Sequence, residues 1–221
     1  MVSVHTVTER KTARHVWQDF KYAFYLIVHP FKGFWEIKHE NKGNVKMATV
    51  FLLLYLVLSV LSGFYTGYLF NSGSALDFNP VKEIFMVLLL FFGFCIANWC
   101  LTCLFDGEGN FKDIYKATGY ALIPMIIAQL VLLPLSNFLV MEESVFYTGI
   151  HTFGMIWMLF LIVIGTLVTH QYSIGKTLVI MVSIVFGMCI LAYIGLLFFN
   201  LIQQMVGFIM TLVQEFSLRN M

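Results

Sequence analysis

A triplet of oxygen-bearing side chains is the first group that could do chemistry. Asp106, Glu108 and Asn110 occupy alternate positions, as the first ligands of a calcium-binding loop do. Such a loop also needs glycine at position six and glutamate at position twelve, where this chain has Phe111 and Ala117. We therefore interpret the segment as an Asp-Gly turn with solvated carboxylates.

The cysteines include one pair with the spacing of a redox or metal site, Cys100-x-x-Cys103. This pair falls inside an apolar run, and no second Cys or His pair accompanies it at a metal-site spacing. Two cysteines on one helical turn serve more often as small packing residues. We predict no metal, no cofactor and no disulfide.

The six histidines do not form a catalytic group. His151 and His170 bracket one predicted helix near opposite membrane interfaces, which suits anchoring of the helix ends. The other four lie near the N-terminus without metal spacing, at His5, His15, His29 and His39. Since no nucleophile, base and oxyanion donor can be assembled from the sequence, we predict that the protein is not an enzyme.

The elements that position these residues must be membrane helices. Of the 221 residues, 60% are hydrophobic and 11% charged, with a mean hydropathy of +0.85. Soluble domains carry about 25% charged residues. This composition predicts an all-α polytopic membrane protein that contacts the lipid bilayer and has no nucleic-acid partner.

Five apolar runs have the length of a membrane span. The neutral amides Asn98, Gln129 and Asn137 lie in or beside them, and we expect these amides to hydrogen-bond neighbouring helices. Because the predicted spans carry no charge, ion-coupled transport is disfavoured. The predicted spans are Met47 to Leu69, Ile84 to Leu104, Ala117 to Val140, His151 to Thr169, and a fifth from Thr177.

The fifth run continues without a charge from Thr177 to Gln214. As one straight helix it would measure about 57 Å, against a hydrocarbon core of about 30 Å. We therefore predict a bend near Asn200, followed by an amphipathic helix over residues 200–221 in the membrane interface. Packing of this helix against a partner's membrane face is the alternative.

The N-terminal segment, residues 1–46, predicts a basic amphipathic helix on the membrane surface. It carries eight of the thirteen Lys and Arg, and apolar and basic residues fall on opposite helical faces. The alternative is a cap packed on the ends of the membrane helices. The membrane-surface residues are predicted to include Arg14, Trp17, Phe20, Lys21 and Phe24.

The distribution of basic residues orients the five spans. With the N-terminus in the cytoplasm, eleven Lys and Arg lie inside, and only Lys82 and Arg219 lie outside. This asymmetry satisfies the positive-inside rule. The polar hairpin around Asp106 is then cytoplasmic, and Gly107 and Gly109 let its backbone turn where a side chain would obstruct it.

Two features could bind another membrane protein. Gly63 and Gly67 form a GxxxG step, which allows close helix approach either inside the bundle or against a partner. The second feature is the charged hairpin, with Asp106, Glu108 and Lys112.

Two stretches, HPFKGFWEIKHENKGN (29–44) and NWCLTCLFDGEGNFKDIYKATGYALIPM (98–125), resemble the bacterial branch of the Yip1-domain family. The most specific residues are the turn Gly107, Gly109, Phe111 and the step from Gly119-Tyr120 to Pro124. The resemblance implies five spans over residues 47–199 and a cytoplasmic N-terminus at the bacterial plasma membrane. Eukaryotic relatives have a long acidic N-terminal domain and a DLYGP-like stretch, and bind small GTPases; this chain has neither feature.

Three functions follow from these observations. The favoured one is a non-catalytic adaptor or accessory subunit of another membrane complex. Since some bacterial relatives are encoded beside carbohydrate ABC-transporter genes, the resemblance implies ABC transporter permeases as partners. The second is a membrane-trafficking or membrane-shaping protein. A small channel or transporter comes third, because the predicted spans are uncharged.

Overall fold

The computed structural model describes residues 20–40, 42–67, 78–102 and 104–219. Of these residues 87% are helical, and no strand occurs among them. The predicted all-α class is therefore confirmed.

Eight α-helices and one short 3-10 turn make up the described part of the chain. Helix α1 covers residues 20–28 of that part. The others are α2 (Pro30–His39), α3 (Val45–Tyr65), α4 (Pro80–Thr102), α5 (Phe111–Ala121), α6 (Ile123–Leu135), the 3-10 turn Met141–Glu143, α7 (Ser144–His170) and α8 (Ile174–Arg219).

Five segments in the described ranges are long and apolar enough to cross a membrane, as predicted. Helices α5 and α6 together form one of them, Phe111–Leu135. The series of helical backbone hydrogen bonds is interrupted at Leu122, and Pro124 lies in the first turn of α6. Proline is tolerated there because the first backbone N–H groups of a helix have no intrahelical acceptor. The break therefore costs little, and the two helices act as one span.

The α5–α6 span lies at the centre of the bundle, between α3, α4 and α7. Small residues allow this close packing. A Cβ at Gly119 would lie 2.7 Å from the Ala48 Cβ of α3, and one at Gly154 of α7 would lie 2.7 Å from the Ala128 Cβ of α6. Tyr120, which is fully buried, fills the space between α5 and α3.

The predicted apolar runs carry no charge, but four of the five membrane-crossing segments extend past these runs and include charged residues, among them Lys46 of α3 and Lys176 of α8. Helix α4 begins at Pro80, so Lys82 and Glu83 lie in its first turns, and the Ser59 hydroxyl donates to Glu83 Oε1 over 2.6 Å. Helix α5 begins at Phe111 and includes Lys112, Asp113 and Lys116. The helices start before their apolar runs, because a polar first turn can remain at the interface while the rest enters the bilayer.

Helices α1 and α2 have two apolar faces rather than one. The inner face is buried in the bundle, with Ala23 and Leu26 in the core and Phe34 packed against Gly165 of α7. The alternative of a cap packed on the membrane helices therefore describes this inner face. The outer face stays exposed; its residues are Phe20, Phe24, Val28, Phe31 and Trp35.

Helix α8 runs without interruption from Ile174 to Arg219, so the predicted bend near Asn200 was wrong. Relative to alanine, asparagine inside a helix is less favourable by under about 1 kcal/mol, and the Leu, Phe, Gln and Met residues around Asn200 favour the helix. Among the side chains that the structure describes, all of those from residue 192 to Arg219 are exposed.

The bundle has two distinct ends. One, the hairpin end, contains α1, α2 and the loops 104–110 and 171–173. At the other, the backbone N–H of Gly67 donates to Ser136 Oγ (3.1 Å) and Asn137 Nδ2 donates to the Tyr65 carbonyl (3.2 Å). The amphipathic N-terminal helices and the charged hairpin thus share one end, as predicted.

Candidate functional site

The hairpin 104–110 is a tight connection between α4 and α5. The backbone N–H of Gly107 donates to the Thr102 carbonyl over 3.1 Å, which closes the C-terminus of α4. Asp106 takes the left-handed conformation, with φ of 52°. Aspartate is one of the few residues besides glycine that visit this region routinely. Asp106 is therefore what turns the chain.

A side chain would obstruct the backbone at both hairpin glycines, as predicted, although neither glycine adopts a positive φ. A Cβ at Gly107 would clash with the Tyr172 hydroxyl and lie 2.6 Å from His170 Nδ1. At Gly109 a Cβ would lie 2.7 Å from His170 Cε1. These glycines allow the hairpin backbone to press against the loop that follows α7.

His170 is the residue on which the hairpin rests. Its side chain is 2% exposed, and the backbone N–H of Gly109 donates to its Nδ1 over 3.3 Å. Nδ1 is therefore the acceptor, and the proton of the neutral ring belongs on Nε2. Within the described part of the chain, Nε2 has no hydrogen-bond partner.

Tyr172 and Lys176 continue the row of contacts that begins at His170. The rings of His170 and Tyr172 stack with centroids 5.1 Å apart, and Lys176 Nζ lies 4.8 Å from the centre of the Tyr172 ring. Burial and the negative charge of Asp106 both raise the pKa of the Tyr172 hydroxyl.

Glu108 ties the hairpin to two other elements. Gln171 Nε2 donates to Glu108 Oε2 over 2.5 Å, and Lys38 Nζ of α2 lies 3.5 Å from the same oxygen. The Glu108 side chain is 63% exposed. The Lys38 side chain is only 13% exposed, so water screens this ion pair mainly from the Glu108 side, and the pair orients the carboxylate.

The first turns of α5 carry a second charged group. Lys116 and Asp113 form an ion pair over 2.9 Å, with side chains only 7% and 19% exposed. Lys112 points outwards. An open groove lies beside these residues, lined by Gly43, Val45, Trp99, Asn110, Lys112 and Lys116. We call the hairpin 104–110, Lys38, Gln171, Tyr172 and Lys112 the hairpin surface.

The structure separates the two predicted partner-binding features. Asp106, Glu108 and Lys112 lie together on the hairpin surface. Gly63 packs against the ring of Phe78, while Gly67 lies beyond the end of α3 and meets the Ser136 carbonyl. The GxxxG step is therefore not one helical face, and contacts within the chain fill the space beside both glycines.

Of the predicted membrane-surface residues, Phe20, Lys21 and Phe24 lie on α1 at the hairpin end. The Phe20 and Phe24 side chains are exposed. Arg14 and Trp17 lie outside the described residues.

The other chemical candidates are scattered. Cys100 is exposed on α4, and Cys103 lies outside the described residues. In the described ranges no group of three or more His, Cys, Asp or Glu is placed to hold a metal ion. His151 lies in α7, nineteen residues from His170 and near the opposite end of that helix.

Sequence reasoning missed the partners of the hairpin, namely Lys38, His170, Gln171 and Tyr172. A signal was present, because the predicted topology already put the loop after His170 on the same side as the hairpin. The periodicity of α7 marks His170 only as a helix end. Its burial under two glycines depends on how α7 docks against α5.

Comparison with known families identifies the whole bundle. The family model described as "Yip1 domain" matches residues 24–212, from α1 through all five spans and most of α8. The chain belongs to the Yip1 domain family. No curated protein and no solved structure gives a significant match to this Yip1-domain chain. The hairpin surface lies inside the matched region.

Proposed function

We propose that this Yip1-domain protein is a non-catalytic adaptor, an accessory subunit that binds another membrane complex through its hairpin surface. The observation that carries the proposal is the anchoring of a short polar loop. Two glycines seat the loop on His170, and Glu108 joins it to Gln171 and Lys38. A loop held in this way presents its polar groups in one conformation, which lowers the ordering cost of binding.

The membrane setting favours this surface over the exposed helix faces. Lipid tails already solvate apolar helices, so hydrophobic burial gives little drive for docking in the bilayer. Polar contacts at the membrane edge then determine which partner is held. Asp106 and Lys112 are both exposed there and carry opposite charges.

We place the hairpin surface in the cytoplasm, at a plasma membrane. Eight described lysines support this orientation, because they lie at the hairpin end: Lys21, Lys32, Lys38, Lys42, Lys46, Lys112, Lys116 and Lys176. In intact cells, a single cysteine at Asn110 should resist a membrane-impermeant reagent, whereas one at Glu143 should react. Labelling of both sites, or of Asn110 alone, would contradict this orientation.

Carbohydrate ABC transporter permeases are our candidate partners, on the basis of the family resemblance alone. The test is gentle-detergent purification followed by mass spectrometry of the proteins that co-elute. Asp106→Asn with Lys112→Ala should reduce recovery of a partner at least ~10-fold, since charge-assisted contacts contribute about 1.5 to 3 kcal/mol each. Asparagine also tolerates the left-handed conformation at position 106.

The matched control changes the opposite end of the bundle. Lys82→Ala with Glu142→Gln removes exposed charges of the same kinds there and should leave recovery unchanged. A membrane-fraction blot shows whether both variants insert at normal levels. If the hairpin variant inserts normally and still retains the partner, the hairpin surface is not the binding site.

A second candidate function rests on the outer face of α1 and α2. Exposed Phe24, Phe31 and Trp35 lie on helices that also carry Lys21 and Lys32, a combination suited to an anionic membrane interface. If this face shapes membranes, the purified protein should deform anionic liposomes without any partner. Replacing Phe24 and Phe31 with serine should then abolish the deformation, whereas the hairpin variant should not.

A further inference from the structure

Helix α8 extends well past the bundle it belongs to. It runs antiparallel to α4, with Gly187 beside Ala97 and Met188 beside Gly93. At 1.5 Å per residue, the first residue of α4 is level with about residue 201 of α8, so roughly 27 Å of helix projects beyond it. Leu191 is the last α8 residue in the described part of the chain whose side chain is partly buried.

Polar and small residues form one line along this projecting part. Asn200, Gln204, Gly207, Thr211 and Gln214 follow one another at alternating steps of four and three residues. At 100° per residue they fall within about 40° of a common line on the helix surface. We call these five residues the α8 seam. An average repeat of 3.5 keeps two helices in contact along a left-handed supercoil.

The seam faces away from the chain's own bundle. The α8 residues that pack towards α4 include Ile180, Ile184 and Leu191. On the helical wheel these three residues lie about 160° to 200° from Asn200. Consistent with this geometry, the amides of Asn200, Gln204 and Gln214 make no hydrogen bond within the described part of the chain.

Neither lipid nor water alone solvates all of the side chains in this part of α8. Amides that face lipid lose their hydrogen bonds to water. Water is equally poor for the rest of the surface, because Phe198, Leu201, Met205, Phe208 and Ile209 are all more than half exposed. A protein surface that accepts both kinds of side chain would satisfy the helix.

We propose that the α8 seam pairs with the α8 seam of a second copy of this chain. A carboxamide carries a donor and an acceptor in one group, so it is complementary to its own copy. Two copies inserted with the same orientation bring their α8 helices together in parallel, which places Asn200 opposite Asn200 and Gln204 opposite Gln204. Gly207 has no protein atom near its Cβ position and lets the two backbones approach.

Cysteine crosslinking of the full-length chain in native membranes tests the pairing. The background has Cys95, Cys100, Cys103 and Cys189 replaced by serine. A single cysteine at Gln204 or Thr211 should give a disulfide-linked dimer under mild oxidation. Cysteines at the matched controls Ile202 and Ile209, on the opposite side of α8, should give less than about one-tenth as much.

Equal crosslinking on both sides of α8, or dimers at the control sites only, would overturn the proposal. Crosslinking to a different protein, or a monomer whose seam cysteines react with a water-soluble reagent, would overturn it as well. The first of these two outcomes indicates a heterologous partner, and the second a helix lying in the membrane interface. A loss of the hairpin partner has no bearing on this result, because the two surfaces lie at opposite ends of the protein.

A second measurement separates pairing through the amides from pairing through shape. Asn200→Leu with Gln204→Leu should weaken association of the purified protein in lipid nanodiscs or micelles roughly 5- to 10-fold, because interhelical hydrogen bonds in membranes contribute about 0.6 kcal/mol or somewhat more each. Gly195→Leu, on the far side of α8, is the control and should not change association. Unchanged association in the double variant would exclude the amide seam as the contact.

Discussion

The central α5–α6 span and α8 differ more in burial and in hydropathy than any other two of the five described spans. Over its most apolar stretch, 61% of the residues of the α5–α6 span are buried, compared with 11% for α8. The order of hydropathy is the reverse, because α5–α6 is the least apolar of the five described spans and α8 the most apolar. In a soluble protein the most buried helix would be the most apolar.

The solvent explains this inversion. Lipid favours large aliphatic and aromatic side chains, so a span that faces lipid is made of them. A span enclosed by other helices needs small residues for close approach, such as Ala117, Gly119 and Ala128, and it can keep polar groups that find partners. Low hydropathy within a membrane chain therefore indicates the centre of the bundle.

The strongest test of this comparison places the same side chain into each span. Gly119→Leu forces a side chain against the Ala48 backbone of α3, where even a Cβ would lie 3.0 Å from the carbonyl oxygen. We expect a loss of more than about 3 kcal/mol, seen as little folded protein in the membrane fraction and in detergent. Gly195→Leu in α8 adds the same side chain in open space and should leave the yield and Tm unchanged. Similar losses in the two variants would contradict the difference in packing.

A smaller effect is expected from the charge pair inside α5. Asp113→Asn leaves Lys116 buried without its carboxylate, which should destabilise the protein by about 2 kcal/mol. This value is below that of a fully buried pair because the Asp113 side chain is 19% exposed. Thermal unfolding in detergent measures it.

Two further variants show whether the pair is responsible. Adding Lys116→Met to Asp113→Asn replaces the remaining charge by an apolar side chain and should restore much of the lost stability. Glu215→Gln removes a charge from the exposed end of α8 and should have no effect. If the double variant is less stable than Asp113→Asn alone, Lys116 has other contacts that matter more.

The smallest effect is expected at the hairpin. In Gly109→Ala the new Cβ would lie 2.7 to 2.9 Å from the His170 ring and Thr169, so these side chains must shift, at a cost of about 1 to 2 kcal/mol. Gly175→Ala, near the start of α8, meets no atom within 4 Å and is the control. Proteolysis of the 104–110 loop should become faster only in Gly109→Ala. Equal rates of proteolysis in both variants would show that the conformation of the loop does not depend on its contact with His170.

Much of the architecture was readable from the chain alone. The five spans follow from apolar runs of membrane length. Two spans separate the N-terminal segment from the hairpin, so the sequence also predicts that both lie on the same side of the membrane. An error arose at the start of α4, because the helix begins at Pro80, four residues before the predicted apolar run. The bend near Asn200 was also wrong, because the length of an apolar run does not decide whether the helix continues.

The sequence by itself determined the membrane class, the number of spans and the polar character of the hairpin, because each of these depends on local composition. Only the tertiary structure decided which groups meet: His170 beneath Gly107 and Gly109, Lys38 beside Glu108, and Phe78 against Gly63. These contacts join residues far apart in the chain, and they depend on the angles and registers at which the helices pack. Periodicity places a residue on one face of a helix, but it does not determine what that face contacts.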